Sequence, residues 1–441
     1  MASTKPTSLS VLIKPWSLAQ IAAILLAVIY LLQLPSPLRL NTDSIILLGI
    51  GNSVAEGHGF LYHGMQTHFP PGYPALVAML NLLGIASSAS LILLNCAFLG
   101  IALASCYLIY LHTLNLNPAS ALGLCCMVML SYVLIKHVTI PISDVVFMGL
   151  LMLAILLTAR ASKDPEKTSW PWFALAVATT LEAISVRTAG VALIPALAWG
   201  LCVPWLSSFK VLWVKKPVRV WGWVAALLSM ALFCGLLLSQ TLYFSEMMGI
   251  FFQDSVVVRL LKNLVAHIFE LGEVGLNLPW EKAHFLPKAG YALAGLFVLV
   301  LLGRGLWLRR QDFSTVEVTL LSYCGMIFLW PYFDARFWLP ILPLILGFAA
   351  VPFFNGTRGR GRQVAGMILC TWFAVTGLFA LAYTTSLSWS GRKFADLYGN
   401  GTLNPSYRAV LLKETYGMTN EEVMSLIRQY DSRWEKIPSP H

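Results

Sequence analysis

The sequence predicts an all-α protein that crosses a membrane many times, and three observations predict it. Hydrophobic residues make up 58% of the 441 and charged residues only 11%, with a mean hydropathy of +0.72. A water-soluble chain of this size could not solvate so much apolar surface. Apolar runs of about 20 residues, the length a helix needs to span a bilayer, recur from the N-terminus to about residue 383. Only helices and closed barrels satisfy their own backbone polar groups in lipid, and these runs lack the alternation of barrel strands.

Taken in order, residues 18–34 form the first span. It is expected to be retained, because no small-residue cleavage site precedes Pro35-Ser36-Pro37. A polar, Gly- and His-rich stretch over 41–74 follows, with lone carboxylates Asp43 and Glu56 at the ends of a short helical pattern. It also holds His58, His63 and His68 and leaves through a rigid Phe69-Pro70-Pro71-Gly72-Tyr73-Pro74 segment. The apolar run 75–83 is too short to cross and is expected to dip into the membrane. Spans are then expected at 87–111, 119–134, 145–158, 172–185 and 191–205, the last two broken at Arg187, and at 220–242, 291–308, 316–330, 338–354 and 364–383. The total is about eleven transmembrane helices.

Domain organisation follows. Residues 1–385 form the membrane domain, with 35–74 as a juxtamembrane first extracytoplasmic loop, and 386–441 form a small extracytoplasmic tail. The tail is too short for a sizeable core of its own. Within it Thr419-Asn420-Glu421-Glu422 reads as a capping box starting a helix through Tyr430. The polar loop 243–289 reads as an interfacial amphipathic helix over the site. No internal repeat or low-complexity tract is visible.

The formal net charge of +10 is gathered in short loops, 210–219, 304–310 and 358–362. That is the positive-inside signature of cytoplasmic loops rather than a nucleic-acid face. Counting from these loops puts the N-terminus in the cytoplasm and puts Asp43, Asp144 and Arg187 together on the other side, provided that 75–83 does not cross. All eight cysteines lie in apolar runs without metal-ligand spacing, so they read as core residues.

The candidate residues each have a structural alternative. Asp43, just past the first span, suits a partly desolvated general base; the alternative is an N-cap for 44–55. Asp144 opens the helix after Ile140-Pro141-Ile142-Ser143, where a cap or helix-dipole partner is the alternative. Together the two aspartates could bind a divalent metal ion or orient an acceptor hydroxyl. Arg187 interrupts an apolar pair of helices, and an intramembrane cation calls for a phosphate or carboxylate partner unless it snorkels to the surface. Arg336, beside Asp334, offers a second guanidinium fork for phosphate, against a plain surface pair with Asp334. His58, His63 and His68 recur every five residues, a spacing that suits neither one helix face nor a zinc site. His68 is the one aimed by the prolines after it.

In order, these pieces resemble the polytopic glycosyltransferases of the GT-C fold, particularly the branch of protein O-mannosyltransferases and the lipid A aminoarabinose transferase. The pieces are Asp43 after the first helix, the loop ending in Pro-Pro-Gly-Tyr-Pro (70–74) and Ser143-Asp144 opening a helix. Arg187 with Gly190 and a Leu-Ile-Pro run, and Arg336-Phe337-Trp338-Leu339-Pro340, complete them. The likeness covers roughly the first 200 residues and the segment around Arg336. It implies transfer of a sugar, with inversion, from a polyprenyl-phosphate donor to a glycan, lipid or protein acceptor on the non-cytoplasmic face, of the plasma (inner) membrane if the source is bacterial. Asp43 would be the base, assisted by Asp144. Arg187 and Arg336, with His68, Lys136 and Tyr73, would hold the donor. No cofactor is required, although a divalent metal at Asp43 and Asp144 is possible, and no nucleic acid is implied.

The sequence departs from the pattern at Ser44, where many relatives carry a second acid, and at Phe69, where some carry a lysine. Three alternatives stand beside this reading: a transporter or flippase with the charges lining a pathway, a polysaccharide polymerase of another multi-span class, and a non-catalytic subunit.

Overall fold

The computed structural model describes residues 15–162, 169–200, 248–250, 252, 255–280, 287–354, 360–389 and 420–431. The expected span at 220–242 and the basic loop 210–219 lie outside these residues, as do Thr419 and residues 358 and 359. The described chain is helical throughout save for one two-stranded hairpin.

Helix α1 (Pro15–Leu31) is followed by α2 (Thr42–Ala55). The hairpin comes next, Leu61–Tyr62 against Met65–Gln66, and then α3 (Gly72–Leu82). After these come α4 (Ser88–His112), the bent pair α5 (Pro118–Met129) and α6 (Tyr132–Val138), then α7 (Ser143–Ala161) and α8 (Trp170–Val186). Helix α9 (Thr188–Gly200) begins as a 3-10 turn. Beyond it stand α10 (Val256–Leu276), α11 (Lys288–Leu308) and α12 (Thr315–Leu329). A second 3-10 turn, Ala335–Ile341, leads into α13 (Leu342–Phe354), followed by α14 (Arg360–Trp389) and α15 (Asn420–Tyr430).

Among the described residues, five helical segments are long and apolar enough to cross a membrane: α4, α7, α11, the 335–353 unit and the 364–389 part of α14. The α5–α6 pair, bent by 59°, makes a sixth if taken as one span. Six further apolar helices are shorter.

Helix α7 sits at the centre. Its apolar residues from Val145 to Ile155 are nearly all buried, as expected of a helix that is hydrophobic all round. It packs along α4 on one side and α8 on the other. The Ser88 hydroxyl at the start of α4 donates to the Ser36 carbonyl after α1 at 2.8 Å, so the chain from 36 to 88 leaves and re-enters the bundle at one end.

The loop 41–74 contains a feature absent from the sequence reading. His63 and Gly64 both have positive φ, the backbone that a two-residue hairpin turn of primed type requires. Helix α10 also differs from a simple amphipathic cover. Its Asn263, His267, Glu270 and Glu273 are buried, whereas Val257, Leu261 and Val265 are exposed. Polar groups face the protein and apolar groups face outward, the arrangement suited to lipid surroundings.

Candidate active site

Four segments converge at the end of the bundle where Ser36 meets Ser88. Helix α2 begins with a capping box between Asn41 and Ser44: the Ser44 amide donates to Asn41 Oδ1 at 2.8 Å and the Asn41 amide to Ser44 Oγ at 2.7 Å. The cap is thereby occupied, and the Asp43 carboxylate is free to point elsewhere. It faces Arg336, with Oδ2 2.6 Å from the guanidinium Nη2. Ser44, the departure from the resembled pattern, is the residue that closes the box.

Asp144 lies in the first turn of α7, where the N-cap residue Ile142 makes no side-chain cap. Its carboxylate pairs with the guanidinium of Arg187. Arg187 ends α8 in extended conformation, and the chain turns back at once, the Gly190 amide donating to the Arg187 carbonyl at 2.9 Å. This turn needs glycine, because a Cβ on Gly190 would meet the Ile184 amide nitrogen at 2.7 Å. A Cβ on Gly72 would likewise meet Ser185 Oγ at 2.6 Å and the Val186 nitrogen at 2.8 Å. The two glycines let the Pro-Pro-Gly-Tyr-Pro exit and the 3-10 turn press against the last turn of α8, which fixes Arg187 in place.

Arg336 stands in the 3-10 turn capped by Asp334, whose Oδ1 accepts the Arg336 amide at 2.9 Å. Asp334 Oδ2 also lies 3.2 Å from Arg336 Nε, so the surface pair expected from the sequence exists beside the pair with Asp43. Both guanidinium carbons approach the ring of Phe337, at 5.6 Å for Arg187 and 5.5 Å for Arg336, within cation–π range. The Phe337 carbonyl in turn accepts from the Tyr323 hydroxyl at 3.3 Å.

These groups line one cavity of about 690 Å³. Asp43, His68, Asp144, Arg187 and Arg336, five of the seven residues singled out in the sequence, are on its wall. The other two are not. Lys136 is exposed on α6 and Tyr73 is wholly buried, its hydroxyl without a hydrogen-bond partner among the described residues. His68 is stacked on Phe69 at 4.6 Å between ring centroids. The sequence reading missed the aromatic wall of Tyr323, Trp330, Tyr332, Phe333 and Phe337. The signal was present in the crowding of aromatics around Asp334 and Arg336.

Behind this wall His267 of α10 bonds the Trp330 carbonyl through Nε2 at 2.9 Å and Glu270 through Nδ1 at 2.8 Å. Glu270 also accepts from the Trp338 indole at 3.2 Å.

The fit to a metal is poor. Each active-site aspartate faces a guanidinium, and no cluster of three His, Cys, Asp or Glu suited to a metal occurs among the described residues.

Comparison with known proteins gives the fold. No family model matches the chain, and no curated protein matches it in sequence. Solved structures do match. ArnT from Cupriavidus metallidurans bound to undecaprenyl phosphate aligns over 93% of this chain and 84% of its own, with a TM-score of 0.53 at 12% identity. The archaeal oligosaccharyltransferase AglB from Archaeoglobus fulgidus, in complex with an inhibitory peptide and a dolichol-phosphate, aligns over 91% of this chain with a TM-score of 0.51 at 11% identity. This chain spans 60% of the length of AglB. The protein has the GT-C fold and is a multi-pass membrane protein.

Proposed function

We propose that the protein is a membrane glycosyltransferase that takes a sugar from a polyprenyl-phosphate donor and passes it, with inversion, to an acceptor hydroxyl on the non-cytoplasmic face. The observation that carries this reading is the crossed set of ion pairs, Asp43 with Arg336 and Asp144 with Arg187, on one cavity at one end of an apolar bundle. Two guanidinium forks match phosphate oxygens, and two carboxylates match sugar and acceptor hydroxyls. The fold shared with proteins bound to undecaprenyl phosphate and dolichol-phosphate supports the same donor class.

Exposure divides the carboxylates by role. The Asp43 side chain is 31% exposed and the Asp144 side chain 2%, so Asp43 is the one an acceptor can reach. In the proposed step the donor phosphate engages Arg187 and Arg336, exchanging one charge-assisted contact for another. Asp43, released from Arg336, takes the acceptor hydroxyl proton as that oxygen bonds to the anomeric carbon. The bond from this carbon to the phosphate oxygen breaks, and its electron pair stays on the phosphate, where the guanidinia stabilise it. No acid is needed for a leaving group so held. Asp144 keeps Arg187 oriented and offers its second oxygen to a substrate hydroxyl.

The test is Asp43→Asn, assayed in detergent with lipid extract as donor source. Loss of a general base costs about 10²–10⁴ in rate, with unchanged elution on size exclusion. Full transfer by this variant would end the assignment.

A further inference from the structure

The C-terminal helix α15 makes contacts that the reading above does not use. Ile427 and Tyr430 are buried, at 0% and 2% exposure, and so is Asp431 at 4%. Tyr430 reaches α2, its hydroxyl donating to Asn52 Oδ1 at 2.6 Å. Asn81 of α3 donates to the same Asn52 oxygen at 2.9 Å and to the Tyr430 hydroxyl at 2.9 Å. The Asn52 amide donates to Gln429 Oε1 at 2.7 Å. Three segments far apart in sequence thus meet in one polar knot. Burial pushes the Tyr430 phenol up to about 12, so its proton is present to donate at neutral pH.

A second contact falls at the other end of α2. The Leu38 amide donates to the buried Asp431 carboxylate at 3.2 Å. Leu38 leads directly into Leu40, the Asn41 cap and Asp43. The tail therefore holds α2 in its last turn and ahead of its first, with Asp43 on the stretch of chain between the two grips.

We propose that α15 is a clamp on the helix that carries Asp43, with Tyr430 and Asp431 as positioning residues that hold its carboxylate at the distance where it meets Arg336 and the acceptor. The proposal rests on the role assigned to Asp43. Neither residue lines the cavity, so neither touches substrate. The geometry accounts for a buried carboxylate directly after α15. The Leu38 amide in the linker ahead of α2 is a partner of that carboxylate.

The experiment uses the full chain with its natural cysteines replaced. Tyr430→Phe, which removes one hydroxyl and keeps the packing, and Asp431→Ala are expected to lower kcat about ten-fold while leaving the KM for the lipid donor unchanged, as a sub-ångström misplacement of a reacting group would. Asn52→Cys with Gln429→Cys should be joined by a short bis-maleimide, and the joined form should recover kcat in the Tyr430→Phe background. A merely stabilising tail would change yield or thermal midpoint and not split kcat from KM. Wild-type kcat in both Tyr430→Phe and Asp431→Ala, or failure of the cysteine pair to join, overturns the clamp. Full activity of Asp43→Asn overturns the assigned reaction instead, and the cross-link still reports whether the tail is docked.

Discussion

At the scale of single residues, the capping box at Asn41 and Ser44 decides what Asp43 does. From residue type alone Asp43 could serve equally as a cap, because Asn, Asp and Thr stand in a row and each can take that place. The structure gives the cap to Asn41, and the carboxylate is left for Arg336. That choice depends on a partner nearly three hundred residues away, so it could not be read locally. Arg187 was legible for the opposite reason: a cation amid apolar runs is costly wherever it lies unless a partner is near. The guanidinium forks predict their own test. Arg336→Lys keeps the charge and loses the fork, along with contacts to Asp43 and Asp334. A charge-assisted hydrogen bond is worth about 1.5–3 kcal/mol, so the donor KM should rise roughly ten- to hundred-fold, measured by titrating lipid donor at saturating acceptor. An unchanged KM would remove Arg336 from the phosphate site.

At the scale of elements, helices were legible and corners were not. The starts of α4, α7 and α12 fall within a residue or two of the expected spans, since apolar runs of this length leave little choice in lipid. The primed turn at His63 and Gly64 and the inward polar face of α10 were missed, the first because two-residue strands leave no periodicity. The second was missed because an amphipathic pattern alone does not say which face meets the protein. Gly190 and Gly72 were visible only as members of motifs. Their reason is steric, and it yields a prediction: Gly190→Ala drives a methyl group into the backbone of α8. Overpacking of this kind costs about 1–3 kcal/mol. A lowered thermal midpoint should appear together with reduced activity, since the displaced turn carries Arg187. A midpoint and kcat equal to wild type would show that the turn gives way freely.

At the scale of the whole molecule, charge counting put Asp43, Asp144 and Arg187 on one side, and the structure brings them together with Arg336 on one cavity, while the number of crossings was not resolved by composition. Short apolar helices such as α2, α3 and α12 fall below the length of a free span, and only their ends show which side they return to. The Arg309–Glu317 pair, with Nε 2.7 Å from Oε1, closes the turn between α11 and α12, and α12 then runs back to the cavity wall at Ile327 and Trp330. That turn therefore lies at the opposite end from the site. Single cysteines at His58 and Arg428 should react with an impermeant maleimide from the non-cytoplasmic side of sealed vesicles, and one at Arg310 only from the other. Labelling of His58→Cys and Arg310→Cys from the same side would overturn the topology.

The paired charges of the cavity also bear on selectivity. Three carboxylates, Asp43, Asp144 and Asp334, stand against two guanidinia, so the resting lining is already neutralised and slightly negative. A bilayer is crowded with phosphodiester headgroups, and a bare pair of arginines would hold any of them. Here an anion must displace a carboxylate to bind, and the displaced carboxylate needs new hydrogen-bond donors. Under the proposed function, a sugar phosphate brings hydroxyl donors for the displaced carboxylate whereas a phosphocholine headgroup brings none, so the ion pairs would disfavour phosphocholine lipids.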